Sequence, residues 1–457
     1  MKDNSKLLSG LQELEQFLEK YPDTRFIDAI LVDLCGIVRG KRFGRDEFDN
    51  IFTSGVLLPH STYFLDVTGH CNNPLGMGVT DGDPDGTAVP VPGTLVSCPW
   101  TEAPTAQVLM NMRNEDGTPS AVDPRNVAAR VIDKFSELGL TPVIAFELEF
   151  YLLDKERDAR GFPQASVSAI TGERENTTQV FGIAELEGHA KFFAAVEDAA
   201  RAQNVPTSVA TTEFAPAQYE INLHHTDLPL IAADHCALLR HIIKSVATRH
   251  SLNATFMSKP FADLSGNGMH VHISLVAKDG KNVFDDGSAS GSDALRYAIG
   301  GLMTTMADSF AIFAPNVNAY RRFRPHTYVP VTKSWGLNNR SVACRIPSGS
   351  ANARRVEHRV AGADANPYLT LAVLLAGVHH GLVNKIDPGP SSDGNACTVA
   401  DPNLPLDLDK ALNRLATSTT LASYIDPHYI ELYCATKRGE MEKFRRHLPP
   451  LEYDWYL

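Results

Sequence analysis

The chain has 457 residues, of which 43% are hydrophobic and 21% are charged, values typical of a globular protein of two or three domains. Its 42 Lys and Arg residues against 54 Asp and Glu residues give a formal net charge of −12. This acidic balance argues against a general electrostatic surface for nucleic acid or for an anionic membrane. The apolar runs are also far shorter than the roughly 20 residues that span a bilayer. We therefore expect no nucleic-acid partner and no membrane.

The seven cysteines are scattered along the chain, and none forms a C-x-x-C pair. This pattern predicts neither a disulfide framework nor a structural zinc site. The segment Met1–Lys6 leads into a Glu-rich stretch and lacks the apolar core of a secretory signal. We therefore expect a reduced protein located in the cytoplasm.

The first part of the chain predicts a helix followed by β structure. Leucines at helical spacing indicate an amphipathic helix from Leu7 to Tyr21. The apolar segment Phe26–Val38 predicts a strand that turns at Gly36. Between Pro59 and Pro104, frequent Gly, Pro and Asp predict turns with short β segments such as Leu95–Cys98.

A domain boundary is predicted at the turn-forming residues Asn114–Pro119. It divides the chain into an N-terminal domain over residues 1–115 and a larger domain over residues 116–457. The larger domain is expected to begin with a helix near Pro124, with Asp123 as its N-cap. The next elements are expected to be strand Pro142–Leu153, helix Gly188–Gln203, strand Ser208–Leu223, helix Leu230–His250 and strand Met269–Val276. Neither G-x-G-x-x-G nor G-x-x-x-x-G-K-[ST] occurs, which argues against a Rossmann site or a P-loop.

Two pairs of glutamates stand in patterns that suit a site. Glu147 and Glu149 alternate with apolar residues on a predicted strand, so their side chains share a face. Neighbouring carboxylates resist burial unless a cation lies between them, although a solvated strand face would show the same alternation. Glu213 and Glu220 flank Pro216, which makes a helix interior unsuitable and allows a corner between two strands.

Histidines and arginines add to this pattern. His270 and His272 follow the glycine loop Ser265–Gly268 on a predicted strand and share a face. A lone histidine is more often a core residue than a ligand, but two on one face favour a site. Eight arginines fall within 39 residues: Arg321, Arg322, Arg324, Arg340, Arg345, Arg354, Arg355 and Arg359. Arginine suits the capture of carboxylate or phosphate, although some of these side chains form only ion pairs.

Five glutamates with one or two histidines form a donor set made mainly of oxygen, the fifth being Glu357 within the arginine run. Such a set suits Mg²⁺ or Mn²⁺ better than zinc. Beside an arginine cluster and without a P-loop, it indicates phosphoryl transfer by a route that does not use a Walker motif.

Several motifs, in this order and spacing, resemble the glutamine synthetase superfamily over roughly Asp28 to Leu369. They are E-x-E, E-F-x-P-x-Q-x-E-I, N-G-M-H-x-H, N-x-Y-x-R, N-R-S followed by R-I-P, and R-R-x-E-x-R followed by A-N-P-Y. The resemblance implies an α+β fold with a small N-terminal β-grasp domain and a larger catalytic domain of antiparallel strands and helices. It also implies a homo-oligomer with a six-membered ring, as a hexamer or dodecamer, whose active sites form between neighbouring subunits.

The resemblance further implies a site for ATP, glutamate and two or more Mg²⁺ or Mn²⁺ ions. One ion would be held by Glu149, Glu213 and Glu220, and the second by Glu147, His270 and Glu357. ATP contacts are implied for His272, Ser274, Arg340, Arg345 and Arg355, and glutamate contacts for Gly266, Arg322 and Arg359. The implied catalytic residues are Arg340, Arg345 and Glu357. In the implied reaction, ATP phosphorylates the γ-carboxylate of glutamate, and a nitrogen nucleophile then displaces phosphate.

Two loops depart from the pattern of glutamine synthetases that use ammonia. The F-D-G-S-S loop, with its ammonium-binding Asp, corresponds here to Leu58–Tyr63, and Tyr328 takes the place of a Glu in the loop 324–330. Because ammonium must be desolvated and deprotonated, its recognition needs carboxylates. We therefore expect a γ-glutamyl-amine ligase that uses a primary amine larger than ammonia, with an alkyl or aromatic monoamine favoured. The amine pocket is expected to be lined by Pro59, His60, Tyr63 and Tyr328.

Three alternatives stay open. A polyamine such as putrescine would favour a retained carboxylate for its distal ammonium, which Asp66 could supply. True glutamine synthetase activity is disfavoured by the two loops, and a non-catalytic ring protein is disfavoured by the intact ligand positions.

Overall fold

The computed structural model describes residues 4–457, with side chains from residue 10 onward. Residues 1–3 and the side chains of Leu7 and Leu8 lie outside the described residues. The expectations that rested on them, about a secretory signal at Met1–Lys6 and about Leu7 and Leu8 in the first helix, therefore lie partly outside the described residues. Over residues 4–457, no helix combines the length and the apolar character needed to cross a membrane.

The N-terminal part of the chain is built on a six-stranded sheet. Its strands are β1 (Phe26–Val32), β2 (Val38–Gly44), β3 (Val56–Pro59), β4 (Asp85–Pro90), β5 (Val96–Ser97) and β6 (Thr105–Arg113). They follow the order β2-β1-β6-β4-β3, with β5 paired to β6. Only the β1–β6 pair is parallel among these strands. Gly36 has a φ of 74°, which explains why the predicted strand turns there.

A second, eight-stranded sheet forms the centre of the larger domain. Its strands are β7 (Leu140–Asp154), β8 (Thr207–Thr212), β9 (Gln218–Leu223), β10 (Leu252–Thr255), β11 (Met269–Ala277), β12 (Trp335–Leu337), β13 (Cys344–Ile346) and β14 (Val356–His358). They follow the order β12-β13-β14-β11-β7-β9-β8, with β10 paired to β7. This central sheet is antiparallel except for the β12–β13 pair.

Twelve helices are present in the described part of the chain. They are α1 (Asn4–Lys20), α2 (Phe48–Thr53), α3 (Pro124–Glu137), α4 (Ile183–Gly188), α5 (Ala190–Ala202), α6 (Pro229–Arg249), α7 (Asp293–Phe313), α8 (Pro367–Asn384), α9 (Leu408–Ala416), α10 (Thr419–Ala422), α11 (Pro427–Arg445) and α12 (Pro450–Tyr456). The predicted start of α3 is confirmed, because the Asp123 carboxylate accepts a hydrogen bond of 2.8 Å from the Arg125 N–H. Helices α7 and α8 approach closely at glycines: a Cβ on Gly301 would lie 2.0 Å from the Gly377 oxygen.

The α+β class with an N-terminal β-grasp domain and a catalytic domain is confirmed. The expected strand Ser208–Leu223 is divided into β8 and β9 by a corner over residues 213–217, which is the corner between two strands that Pro216 allowed. Helices α7 to α12, all after Val276, were not predicted. Strand β6 ends at Arg113 and α3 begins at Pro124; the division into residues 1–115 and 116–457 stays a prediction.

Candidate active site

Four of the six candidate metal ligands lie on three neighbouring strands of the central sheet; Glu357 lies on β14, and Glu213 follows β8. On β7, Glu147 and Glu149 point to one face, because Leu148 between them is fully buried on the other. Strand register places Glu220 of β9 opposite Glu149 and His270 of β11 opposite Glu147. Three strands thus bring four candidate ligands to one side of the sheet, although Glu147 and Glu220 are 73 positions apart in the chain.

The side chains form two overlapping groups centred on Glu147. Ligand atoms of Glu147, His270 and Glu220 lie within 4.8 Å of one another, and so do those of Glu147, His272 and Glu357. His270 Nδ1 is 3.0 Å from Glu147 Oε2, and His272 Nε2 is 2.7 Å from Glu147 Oε1. His272, which the resemblance assigned to ATP, therefore lies among candidate metal ligands.

Electrostatics in this cluster indicate that it suits a cation. Burial, followed by the charges of Glu149 and Glu147, raises the pKa of Glu213 to about 8. Burial and the same two carboxylates raise the pKa of Glu220 well above its ordinary value. Carboxylates so placed cannot all ionise without a compensating positive charge. Oxygen donors with one or two imidazoles fit Mg²⁺ or Mn²⁺, so the residues present suit the ions that the resemblance implies. How they divide between the ions stays a prediction.

Arginines surround the other end of the cluster. Arg345 Nη1 donates to Glu357 Oε2 at 2.7 Å, and Arg359 donates to the other oxygen of the same carboxylate. Although burial opposes it, the Arg359 charge helps to hold the pKa of Glu357 at about 2. Arg355 Nε donates to His272 Nδ1 at 3.0 Å. These guanidinium groups place positive charge beside candidate metal ligands, as transfer of a phosphoryl group requires.

The remaining residues implied for ATP lie on the same side. Ser274 follows His272 by two residues on β11, so it shares its face. Arg340 is exposed, and its charge acts on Glu213.

The residues implied for glutamate form a tightly packed corner. A Cβ on Gly266 would lie 2.5 Å from Arg322 Cγ and 2.5 Å from the Ser258 carbonyl oxygen, so only glycine fits there. The Nε atoms of Arg322 and Arg359 are buried without a hydrogen-bond partner among the described residues. Buried unpaired donors are rare, and these two suit an anionic ligand such as a carboxylate.

Gln218 is a contributor that the sequence analysis missed. Its side-chain Nε2 donates to the Gly266 carbonyl at 3.0 Å and to Asn267 Oδ1 at 3.1 Å. It therefore joins the strand that carries Glu220 to the glycine loop. The available signal was its place in E-F-x-P-x-Q-x-E-I, two residues before Glu220 on an alternating strand.

The residues expected to line the amine pocket differ in exposure, and their grouping into one pocket stays a prediction. The Tyr63 side chain is buried in the core at 1% exposure, so in the single chain it lines no open surface. Pro59 ends β3, and His60 Nδ1 lies 3.3 Å from Ser120 Oγ. Tyr328 is 65% exposed on its loop. No hydrogen bond within residues 10–457 joins His60 or Tyr63 to Tyr328.

Asp66, the carboxylate considered for a polyamine, is already paired within this chain. The residue is fully buried. Its Oδ1 accepts hydrogen bonds from the Thr68 N–H, the Thr68 hydroxyl and the His70 N–H. Asn72 donates to the other oxygen. Lys443 of α11 also pairs with that oxygen at 3.4 Å, so the carboxylate is bound both by its own loop and by α11.

Comparison with known proteins decides the family. A family model described as "Glutamine synthetase, catalytic domain" matches residues 121–456. The chain belongs to the glutamine synthetase family. The prediction of an ATP-dependent ligase that forms a carbon–nitrogen bond is thereby confirmed, as is the superfamily resemblance.

Individual relatives match nearly the whole chain. The gamma-glutamylputrescine synthetase of Escherichia coli (strain K12) is 39% identical and covers 98% of this chain and 94% of its own. The glutamate–isopropylamine ligase of a Pseudomonas species is 31% identical, with 97% of each chain covered. A solved structure of GmaS in complex with ADP superposes with a TM-score of 0.82 at 26% identity, and covers 96% of this chain and 98% of its own. Two of these relatives are named for amines, in line with the predicted branch.

Proposed function

We propose that this protein joins the γ-carboxylate of glutamate to a primary amine larger than ammonia, at the expense of ATP and through γ-glutamyl phosphate. The observation that carries the proposal is the cluster of buried carboxylates and histidines that meets Arg345 and Arg359 at Glu357. Bound Mg²⁺ or Mn²⁺ would neutralise the phosphates. Arg340, Arg345 and Arg355 would hold the transferring phosphoryl group, and Arg322 and Arg359 would hold glutamate.

A diamine of the putrescine type is the first candidate for the amine, ahead of an alkyl or aromatic monoamine. The relative that is 39% identical is named for putrescine, whereas the one at 31% is named for isopropylamine. A second observation supports a cationic substrate. Burial lowers the pKa of His60, and the charges of Asp83, Asp81 and Asp85 oppose that shift. Negative charge near His60 would favour an amine with a cationic distal group over one with an apolar substituent.

Ammonia is the less favoured nucleophile because neither loop considered above contains an Asp or Glu. Without a carboxylate, an ammonium ion gains little from leaving water, and no carboxylate at those positions can take its proton. A non-catalytic ring protein is disfavoured by the presence of all six candidate metal ligands.

The test is phosphate release with ATP, Mg²⁺ and glutamate against a panel of nucleophiles: ammonium, putrescine, spermidine, isopropylamine, ethanolamine and phenethylamine. We expect putrescine to give the highest kcat/KM and ammonium the lowest. Mass spectrometry of the product checks for the γ-glutamyl amide. A preference for isopropylamine or phenethylamine would make a monoamine the first candidate for the substrate again. Efficient use of ammonium would make the protein an ordinary glutamine synthetase.

We further propose that the protein forms a six-membered ring, single or stacked, with active sites between subunits. Membership of the glutamine synthetase family supports this. Under this proposal, Pro59 and His60 of the N-terminal sheet region meet Tyr328 of the larger domain across a subunit interface. Size-exclusion chromatography with light scattering measures the number of subunits. A monomer that is fully active would contradict the shared site.

A further inference from the structure

The corner between β8 and β9 positions two of the proposed metal ligands, and it contains a residue in a left-handed backbone conformation. Glu213 follows β8 directly, and Glu220 lies within β9. Between them, Ala217 has a φ of 58°, a left-handed conformation that costs an alanine free energy. The corner therefore needs contacts from elsewhere to keep its shape.

Glu175 supplies such a contact from a segment distant in sequence. Its Oε2 accepts a hydrogen bond of 2.9 Å from the N–H of Ala217. Its Oε1 lies 2.8 Å from the hydroxyl of Tyr219, which donates to it, and 2.8 Å from Nε2 of His189. Tyr219 stands next to Glu220 on β9 and is fully buried, so the Glu175 carboxylate holds the corner at two points.

The same segment also contacts the start of the corner. The Thr212 hydroxyl, directly before Glu213, donates to the Gln179 carbonyl at 3.0 Å. The Phe181 N–H donates to the Thr212 carbonyl at 3.2 Å. Residues 175–181 thus form hydrogen bonds to the β8–β9 corner at both of its ends. Among the described hydrogen bonds, only Glu175 of this segment contacts Ala217.

We infer that Glu175 is a positioning residue for the metal site, an assignment that rests on the proposed roles of Glu213 and Glu220. The Glu175 carboxylate contacts neither of these side chains in the described hydrogen bonds. It acts through the backbone of Ala217 and the ring of Tyr219, which fix the direction of the two glutamates. Groups that hydrogen-bond directly to metal ligands change metal affinity about 10- to 100-fold when they are removed, so an indirect effect through Ala217 and Tyr219 should lie at the lower end of that range.

The test compares Glu175→Ala and Glu175→Gln with Glu173→Ala and Glu173→Gln in the full-length protein. Glu173 is an exposed glutamate on the same segment, and its side chain makes no described hydrogen bond to the corner, so it is a matched control for charge. The primary readout is Mn²⁺ binding followed by electron paramagnetic resonance, and the second is the Mn²⁺ dependence of phosphate release. Thermal midpoints in chelator record effects on the fold alone.

We expect E175A to bind Mn²⁺ about tenfold more weakly, and E175Q, which keeps one acceptor oxygen, to fall between E175A and the wild type. Both should recover activity at saturating Mn²⁺, and the Glu173 variants should bind like the wild type. Mn²⁺ affinity unchanged in both Glu175 variants would overturn the assignment. If E175A does not fold, the comparison of E175Q with E173Q decides. A wild-type protein that binds no Mn²⁺ would instead overturn the metal site itself.

Discussion

Glu149 and Glu220 lie directly opposite each other on the antiparallel strands β7 and β9. Side chains opposite each other in such a pair are close neighbours, and two like charges there destabilise the sheet. Burial adds to this conflict and, with the charges of Glu147 and Glu149, raises the pKa of Glu220 well above its ordinary value. The protein thus keeps a pair that weakens its fold, which is expected where a cation is to be bound.

Replacing Glu220 by Gln should separate stability from activity. We expect E220Q to lose about 100-fold or more of its phosphate-release activity, since a direct ligand should matter at least as much as the groups that orient it. In chelator, E220Q should unfold at the same or a higher temperature than the wild type, because the like-charge repulsion is removed. Phosphate release and thermal unfolding in chelator measure the two effects.

Glu156→Gln is the control, because Glu156 is an exposed carboxylate just after β7. It should leave both quantities unchanged. If E220Q, but not E156Q, unfolds at a lower temperature than the wild type in chelator, Glu220 stabilises the fold. That result would count against a metal-binding role.

Glu213 predicts a pH dependence for the metal-free protein. Its pKa is raised from 4.5 to about 8, so the folded protein binds more protons than the unfolded protein between these values. The stability that this group contributes is therefore fully present below the unfolded pKa, and is lost as the pH rises through the folded pKa. In chelator, the wild type should lose thermal stability relative to E213Q from about pH 5 to about pH 9. Parallel pH profiles for the two proteins would contradict the raised pKa.

Strand alternation explains how much of the site could be predicted from the sequence. Glu147 and Glu149 share a face because every second residue of β7 is buried, and the same rule places His270 and His272 together on β11. The start of α3 followed from a similarly local signal, the N-cap Asp123, whereas the α+β class was implied by the family resemblance. The strand faces and the helix start depend on neighbours along the chain, so they are visible in the sequence.

The features that could not be predicted depend on packing between distant segments. The Asp66 carboxylate is paired with Thr68, His70 and Asn72 and, from α11, with Lys443. The Tyr63 ring is part of the core of the single chain. The hydrogen bond from Ala217 to Glu175 joins residues 42 positions apart, and no periodicity in the sequence indicates it. No spacing rule reports such contacts.

Gly266 gives a prediction for glutamate binding. A Cβ at this position would lie 2.5 Å from Arg322 Cγ, so G266A should displace Arg322 and raise the KM for glutamate with little change in the KM for ATP. Overpacking should also cost about 1–3 kcal/mol of unfolding free energy. Steady-state kinetics and denaturant unfolding measure these effects. Gly44→Ala is the matched control, since a Cβ at Gly44 meets nothing within 4 Å; equal KM values for glutamate in G266A and G44A would refute the role of this corner.

Tyr328 gives a prediction for the choice of nucleophile. Its ring is 65% exposed, so a substitution there should be tolerated by the fold. Tyr328→Glu restores a carboxylate at the position where relatives that use ammonia are expected to carry one. We expect kcat/KM for ammonium to rise roughly tenfold, the equivalent of one hydrogen bond to a charged group, measured by phosphate release at varied ammonium concentration.

Tyr328→Gln is the control, because its side chain has the same length as that of Glu without the charge, and it should not show the gain. If the Glu and Gln variants behave alike, the missing carboxylate at this loop does not decide which nucleophile is used, and the preference for a larger amine must come from the Pro59–His60 side of the site.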